Sequence, residues 1–252
     1  MKTSFSDMDF YKDICQIFVN DDNAFAHFRT YGPDYNRVLE HVSQAQGQQY
    51  LISALGTYPR LIDNLDRVRK NDAVGRPAVY PYSNVGLFSP TTLRYAKVMA
   101  DIYKHMGGFD IGKNVIEIGG GYGGQCRIIN EFMNPETYTI VDLPIVNQLQ
   151  EKYLSRFHTC PIEYVCDPTL EELKGKKFDF VISNWAFDEL LPEYQEIYFE
   201  TIIKNSKHGY LSGRYSADVV HPGYMTVDRF KDWCDIRPYD PSPFVECQII
   251  TW

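Results

Sequence analysis

V-I-E-I-G-G-G-Y-G-G, at residues 115–124, decides how this 252-residue chain is to be read. Val115, Ile116 and Ile118 are the apolar, β-branched residues of a buried strand, and they end abruptly in glycines, which tolerate positive φ and close backbone approach. Glu117 stands two positions before the first glycine, and Asp142 closes the next strand-like run, Y-T-I-V-D at 138–142. Two carboxylates at the tips of adjacent parallel strands, flanking a loop of bare backbone, suit a nucleoside with a polar ribose. The glycine spacing fits two cofactors. Gly119, Gly121 and Gly124 satisfy G-x-G-x-x-G, with Asp142 near the ribose-binding distance of a dinucleotide site, while Glu117, Gly119, Gly121 and Gly123 satisfy E-x-G-x-G-x-G.

Outward from the loop the pattern alternates. Strands are expected at 115–118, 138–141, 162–165, 178–183 and 210–212, with helices at 124–133, from Pro144 through Leu154, near Glu171, from about Pro192 and around 226–233. A final apolar run at 245–252 fits an added strand. Near-continuously apolar strands separated by helices predict an α/β domain whose parallel sheet is covered on both faces. Upstream, Ser89-Pro90 opens a helix through Leu93, Ala96, Met99, Ile102 and Met106 that stops at Gly107-Gly108. Residues 1–80 show helical spacing and no expected strand, and Pro81 opens a stretch to Pro90 that is expected to be irregular. The domain division is therefore a helical extension at 1–80 and a catalytic domain at 81–252.

Composition narrows the function. The 25 basic and 33 acidic residues give a formal net charge of −8, which disfavours nucleic acid as the substrate. Arg67, Arg69 and Lys70 are scattered on an expected helix and read as a solvated face. The six cysteines include no C-x-x-C pair and no His/Cys ligand spacing, so no zinc site or disulfide framework is expected. The acidic start M-K-T-S-F-S-D-M-D-F lacks a signal-peptide core and no stretch of about 18 apolar residues occurs, so the expectation is a cytoplasmic protein without membrane insertion.

The E-x-G-x-G-x-G loop resembles motif I of the class I S-adenosylmethionine-dependent methyltransferases. Together with I-V-D-L-P, S-N-W-A-F-D-E-L, K-N-S-K-H-G-Y-L and S-P-T-T-L-R-Y, it makes the chain from about Tyr82 onward similar to the sugar O-methyltransferases found with bacterial capsule and lipopolysaccharide genes. The resemblance implies a Rossmann-like sheet ending in an antiparallel strand, with the extension as a lid or dimer contact. It implies S-adenosylmethionine as cofactor, bound by Glu117, Gly119, Gly121, Tyr122, Gly123, Asp142 and Leu143. Asp142 would take the ribose hydroxyls and Asp167 the adenine amino group, with Asn184 and Trp185 at the strand exit and Tyr82, Ser89 and Arg94 closing over the methionine end. The acceptor implied is a small-molecule or nucleotide-linked sugar, or a phosphate-type group. S-N-W-A partly resembles the N-P-P-[YF] motif of amino-group methyltransferases, with Trp185-Ala186 in place of two prolines, which leaves amine methylation as the alternative beside a nicotinamide oxidoreductase.

A sugar hydroxyl is a poor nucleophile and needs a base or a cation nearby. The candidates are Asp188 and Glu189 after the fourth strand and His221 in the loop after the fifth, the last because imidazole titrates near neutrality. Asp188, Glu189 and Asp218 would hold Mg²⁺ if they converged; no dedicated metal site is expected. Arg214 and Tyr215 are placed to grip an anionic acceptor.

Overall fold

A computed structural model describes residues 8–215, 224–241 and 247–252. The extension folds into α1 (Asp9–Asn20), α2 (Asp22–Phe25), α3 (Pro33–Leu39), α4 (Gln44–Thr57) and α5 (Leu65–Arg69). A hairpin, β1 (Tyr80–Tyr82) and β2 (Gly86–Phe88), leads into α6 (Pro90–Met106). Then follow β3 (Asn114–Ile118), α7 (Gly124–Met133), β4 (Thr137–Val141), α8 (Pro144–Leu154), β5 (Ile162–Val165), β6 (Phe178–Asn184), α9 (Pro192–Thr201), β7 (Ser206–Gly213), β8 (Asp235–Pro238) and β9 (Gln248–Thr251).

Among the described residues, seven strands form one sheet in the order β5-β4-β3-β6-β7-β9-β8. β3 to β7 are parallel, and β9 runs antiparallel between β7 and β8. The mostly parallel sheet, its antiparallel C-terminal strand and the N-terminal helices are those expected from the sequence. The chain winds outward from β3 through β4 to β5, then returns to β6 and β7 on the other side. That reversal opens a crevice at the carboxyl ends of β3 and β6, where ligands of such sheets bind.

Three local expectations differ from the structure. The hairpin β1–β2 occupies a stretch expected to be irregular, because Asn84 (φ 67°) and Gly86 (φ 93°) take the left-handed conformations that a tight reversal needs. The helix expected around 226–233 is a single 3₁₀ turn at Val227–Arg229. Val227, Phe230 and Trp233 recur every three residues, a spacing that suits a threefold turn as well as an α-helix, and Phe230 and Trp233 pack on Phe199 of α9. β8 carries no apolar run, since it is an edge strand with charge and proline along it. Arg67, Arg69 and Lys70 keep the partly solvated face expected, with side chains 41%, 39% and 57% exposed, and also make contacts across it. Arg67 and Lys70 pair with Glu131 of α7, and Arg67 and Arg69 lie over the rings of Phe132 and Phe88, at 4.3 and 4.6 Å.

The extension shares one apolar core with the sheet: α1 packs on α8 and α4 on α6. Arg29, 1% exposed, binds Glu40 Oε1 at 2.5 Å, Asp72 Oδ1 at 3.1 Å and the Ser89 hydroxyl at 2.9 Å. Its guanidinium lies 4.9 Å from the centre of the Tyr122 ring, inside the glycine loop. No helix among the described residues is long and apolar enough to cross a membrane.

Removing a buried cation leaves its carboxylates unpaired. Arg29→Ala is therefore expected to lower stability by about 3–5 kcal/mol in urea unfolding, against about 0–1 kcal/mol for removal of the exposed Lys174–Glu171 pair.

Candidate active site

β3 ends in a loop whose glycines do specific work. Gly119, Gly121 and Gly123 all have positive φ, at 72°, 55° and 95°. A Cβ on Gly119 would lie 2.2 Å from the Ala186 methyl, so the loop passes against the β6 exit at a distance that excludes a side chain. Asp142 fixes the loop. Its carboxylate accepts from the amides of Gly120 (3.0 Å) and Leu143 (2.8 Å) and from Gln150 Nε2 (2.8 Å), and the same Gln150 nitrogen donates to the Gly121 carbonyl (2.9 Å). Burial pushes the Asp142 pKa up to about 6, with those hydrogen bonds opposing it.

Above the loop lies a cavity of about 700 Å³. Of the residues singled out in the sequence, Glu117, Gly119, Gly121, Asp142, Leu143, Asn184, Trp185, Glu189, Arg94 and Arg214 line it. Glu117 accepts a hydrogen bond from the Tyr138 hydroxyl at 2.8 Å, and burial raises its pKa to about 8. Asn184 is tied through Oδ1 to the Ser212 hydroxyl at 3.0 Å, and its buried Nδ2 has no partner among the described residues. Trp185 holds a positive φ of 58° and packs on the Tyr239 ring at 5.5 Å, a strained backbone position stabilised by aromatic contact.

The other candidates lie away from the cavity. Tyr122 points beneath the loop, fully buried among Phe28, Tyr95 and Tyr153, because an aromatic core stands there. Gly123 caps the start of α7 and faces Leu154. Tyr82 packs on α4, where its hydroxyl reaches the Gln44 carbonyl at 3.4 Å. Ser89 belongs to the Arg29 network. Asp167 closes a turn onto the amide and hydroxyl of Thr169, at 3.0 and 2.6 Å, while its neighbours Cys166 and Pro168 line the cavity. Asp188 turns toward β7, where it accepts from the Arg214 amide at 3.0 Å; burial raises its pKa to about 7. Tyr215 is fully buried beside Phe187 and Phe230. His221 and Asp218 lie outside the described residues. Among the described residues, no three His, Cys, Asp or Glu side chains converge as a metal site.

The lining residues that the sequence did not single out include His41 and Tyr198. His41 follows α3 in the extension and Tyr198 sits on α9, so neither stands at the exit of a parallel strand, where candidates were sought. No sequence signal marks them.

No protein-family model and no curated protein matches the sequence. Solved structures that resemble the fold include magnesium protoporphyrin IX methyltransferase from Synechocystis PCC 6803 with bound SAH, at 15% identity and a TM-score of 0.47 over 79% of this chain and 98% of that one. Thermoplasma acidophilum 1320 gives 15% and 0.47 over 75% and 95%. A candidate sarcosine dimethylglycine methyltransferase from Galdieria sulphuraria gives 17% and 0.40 over 48% of this chain and 46% of that one, so the chain spans under half of that protein.

Gly119→Ala and Gly121→Ala separate close approach from backbone strain. Both positions have positive φ, but the second Cβ meets only the flexible end of Leu39, at 3.2 Å. Strain alone costs about 1–3 kcal/mol; thermal unfolding is expected to show a larger loss for Gly119→Ala than for Gly121→Ala.

Proposed function

We propose that the chain is an S-adenosylmethionine-dependent methyltransferase that methylates an oxygen of a sugar or of a sugar-attached, phosphate-type or nucleotide-linked group, in the synthesis of a surface polysaccharide. The observation that carries the reading is the Asp142 carboxylate, at the exit of β4, next to a glycine backbone that admits no side chain at the sheet's reversal point. An ionised carboxylate in the cavity wall accepts both hydroxyls of a ribose, and Leu143, Pro144 and Cys166 beside it offer an apolar bed for a base.

The residues present fit such a cofactor. The cavity bounded by Gly119, Gly120 and Gly121 leaves room for a chain of atoms to cross the loop, and the Asn184 amide supplies an unused donor at the β6 exit. S-adenosylmethionine brings a methyl group already activated on a sulfonium, so the protein's task is to hold the acceptor oxygen in line and remove its proton. A donor at Asn184 suits an oxygen acceptor. Of the three bases considered, Glu189 lines the cavity, with the Arg214 guanidinium 4.0 Å from its carboxylate. Glu189 then takes the hydroxyl proton and Arg214 orients the acceptor. The extension at 1–80 serves as the lid over the 81–252 catalytic domain.

Calorimetry with S-adenosylhomocysteine and NADH tests the cofactor: the first is expected to bind and the second not, and the reverse result overturns the reading. A ribose hydroxyl donates to ionised Asp142, so affinity is expected to weaken as the pH falls below about 6, the value to which burial raises this carboxyl. Asp142→Asn is expected to bind about 10- to 100-fold more weakly at pH 7.5, the equivalent of one charge-assisted hydrogen bond, and to lose that pH step. Glu189→Gln is expected to lower kcat with cofactor affinity intact, in a labelled-methyl assay against nucleotide sugars.

A further inference from the structure

We propose that Arg94 and His41 form an oxyanion-binding subsite in the cavity wall that takes a carboxylate or phosphate of the acceptor. The proposal rests on the methyltransferase reading and specifies its substrate class as anionic.

Both residues line the cavity, and they arrive from different elements. Arg94 stands in the second turn of α6 and His41 in the link between α3 and α4. The surroundings of Arg94 are aromatic: the ring of Tyr95 lies 5.6 Å from its guanidinium, and the Tyr50 and Tyr239 hydroxyls are nearby. No carboxylate among the described residues forms an ion pair with it. The cavity's other arginine, Arg214, has Asp188 and Glu189 within 3.9 and 4.0 Å. A guanidinium withdrawn from water without a counter-ion is unfavourable, and an oxyanion entering the cavity supplies one.

The partner in this subsite is the imidazole of His41, a residue exposed enough to meet a ligand. Partial desolvation of the ring and then the charge of Arg94 hold the His41 pKa down to about 4, while a hydrogen bond to the Val38 carbonyl opposes them. The carboxylate nearest in sequence, Glu40, is engaged by Arg29. An anion on Arg94 offsets the smaller of the two effects that suppress protonation, so His41 becomes more basic as the anion binds.

The network around Arg29 fixes the geometry. It joins Glu40, one residue before His41, to Ser89 and Thr92, the latter two residues before Arg94, so the backbones that carry the two residues are held together. Its position selects the acceptor. Tyr239, beside Arg94, packs on Trp185 at the exit of β6, on the opposite side of β3 from Asp142.

The test uses the full chain, with inorganic phosphate as probe, and follows the His41 ring proton by NMR, assigned by its loss in His41→Gln. In protein saturated with S-adenosylhomocysteine, phosphate is expected to shift that resonance and raise the pKa it reports. Arg94→Gln is expected to weaken the phosphate response about tenfold or more, and Arg94→Lys to retain it. S-adenosylhomocysteine affinity is expected to change less than about threefold in Arg94→Gln. A wild-type resonance that ignores phosphate overturns the proposal. So does a large loss of S-adenosylhomocysteine affinity in Arg94→Gln with no loss for methylthioadenosine, which lacks the carboxylate, because Arg94 would then hold the cofactor. If the wild type binds no S-adenosylhomocysteine, the methyltransferase reading falls, and phosphate titration of the same chain alone decides the subsite.

Discussion

One buried guanidinium, that of Arg29, ties together the parts of this protein that the sheet does not. Its nitrogens reach Glu40 at the end of the α3 segment, Asp72 after α5, and Ser89 and Thr92 at the start of α6, and its face covers Tyr122 of the glycine loop. Asp72 returns two further bonds to this corner, from the Ser89 amide at 2.8 Å and the Thr92 hydroxyl at 2.6 Å. A cation taken out of water is tolerated only where its hydrogen bonds are met, so the network admits few arrangements. The extension is thereby set in a fixed relation to the loop, and Leu39 comes to lie over Gly121.

The loop itself is held by a second buried charge with a double role. Asp142 binds the Gly120 and Leu143 amides and also faces the cavity, so the carboxylate that would meet a ribose also positions the backbone beneath it. Gln150 of α8 bridges Asp142 and the Gly121 carbonyl, and so couples helix, strand exit and loop. Shape and charge at this end of the cavity depend on each other. Little rearrangement is needed for a ligand to find its hydrogen bonds.

Legibility in the sequence followed the physics of each element. β3, β4 and β6 are central strands with apolar residues on both faces, and a run of Val and Ile identifies them at once. The edge strand β8 and the 3₁₀ turn at Val227–Arg229 escaped, because an edge needs no apolar run and a spacing of three fits two kinds of turn. In the site, residues directly after a parallel strand were found, such as Asp142, Asn184 and Glu189, since the sheet directs them to one rim. Tyr82, Ser89, Tyr122 and Tyr215 were judged by proximity in sequence, and packing turned each of them away from the cavity.

The sequence by itself determined the alternating α/β architecture, the glycine loop and the acid that closes the next strand. These are local features: periodicity sets the strand, and positive φ confines the loop to glycine. Only the tertiary structure decided which side chains meet. Asp188 and Glu189 are adjacent in the chain, yet one binds a backbone amide of the β7 exit and the other faces the cavity. His41 and Arg94, separated by 53 positions in the chain numbering, line the same cavity. Burial and distance set the charge state of each group, and both are properties of the packed molecule that no stretch of sequence contains.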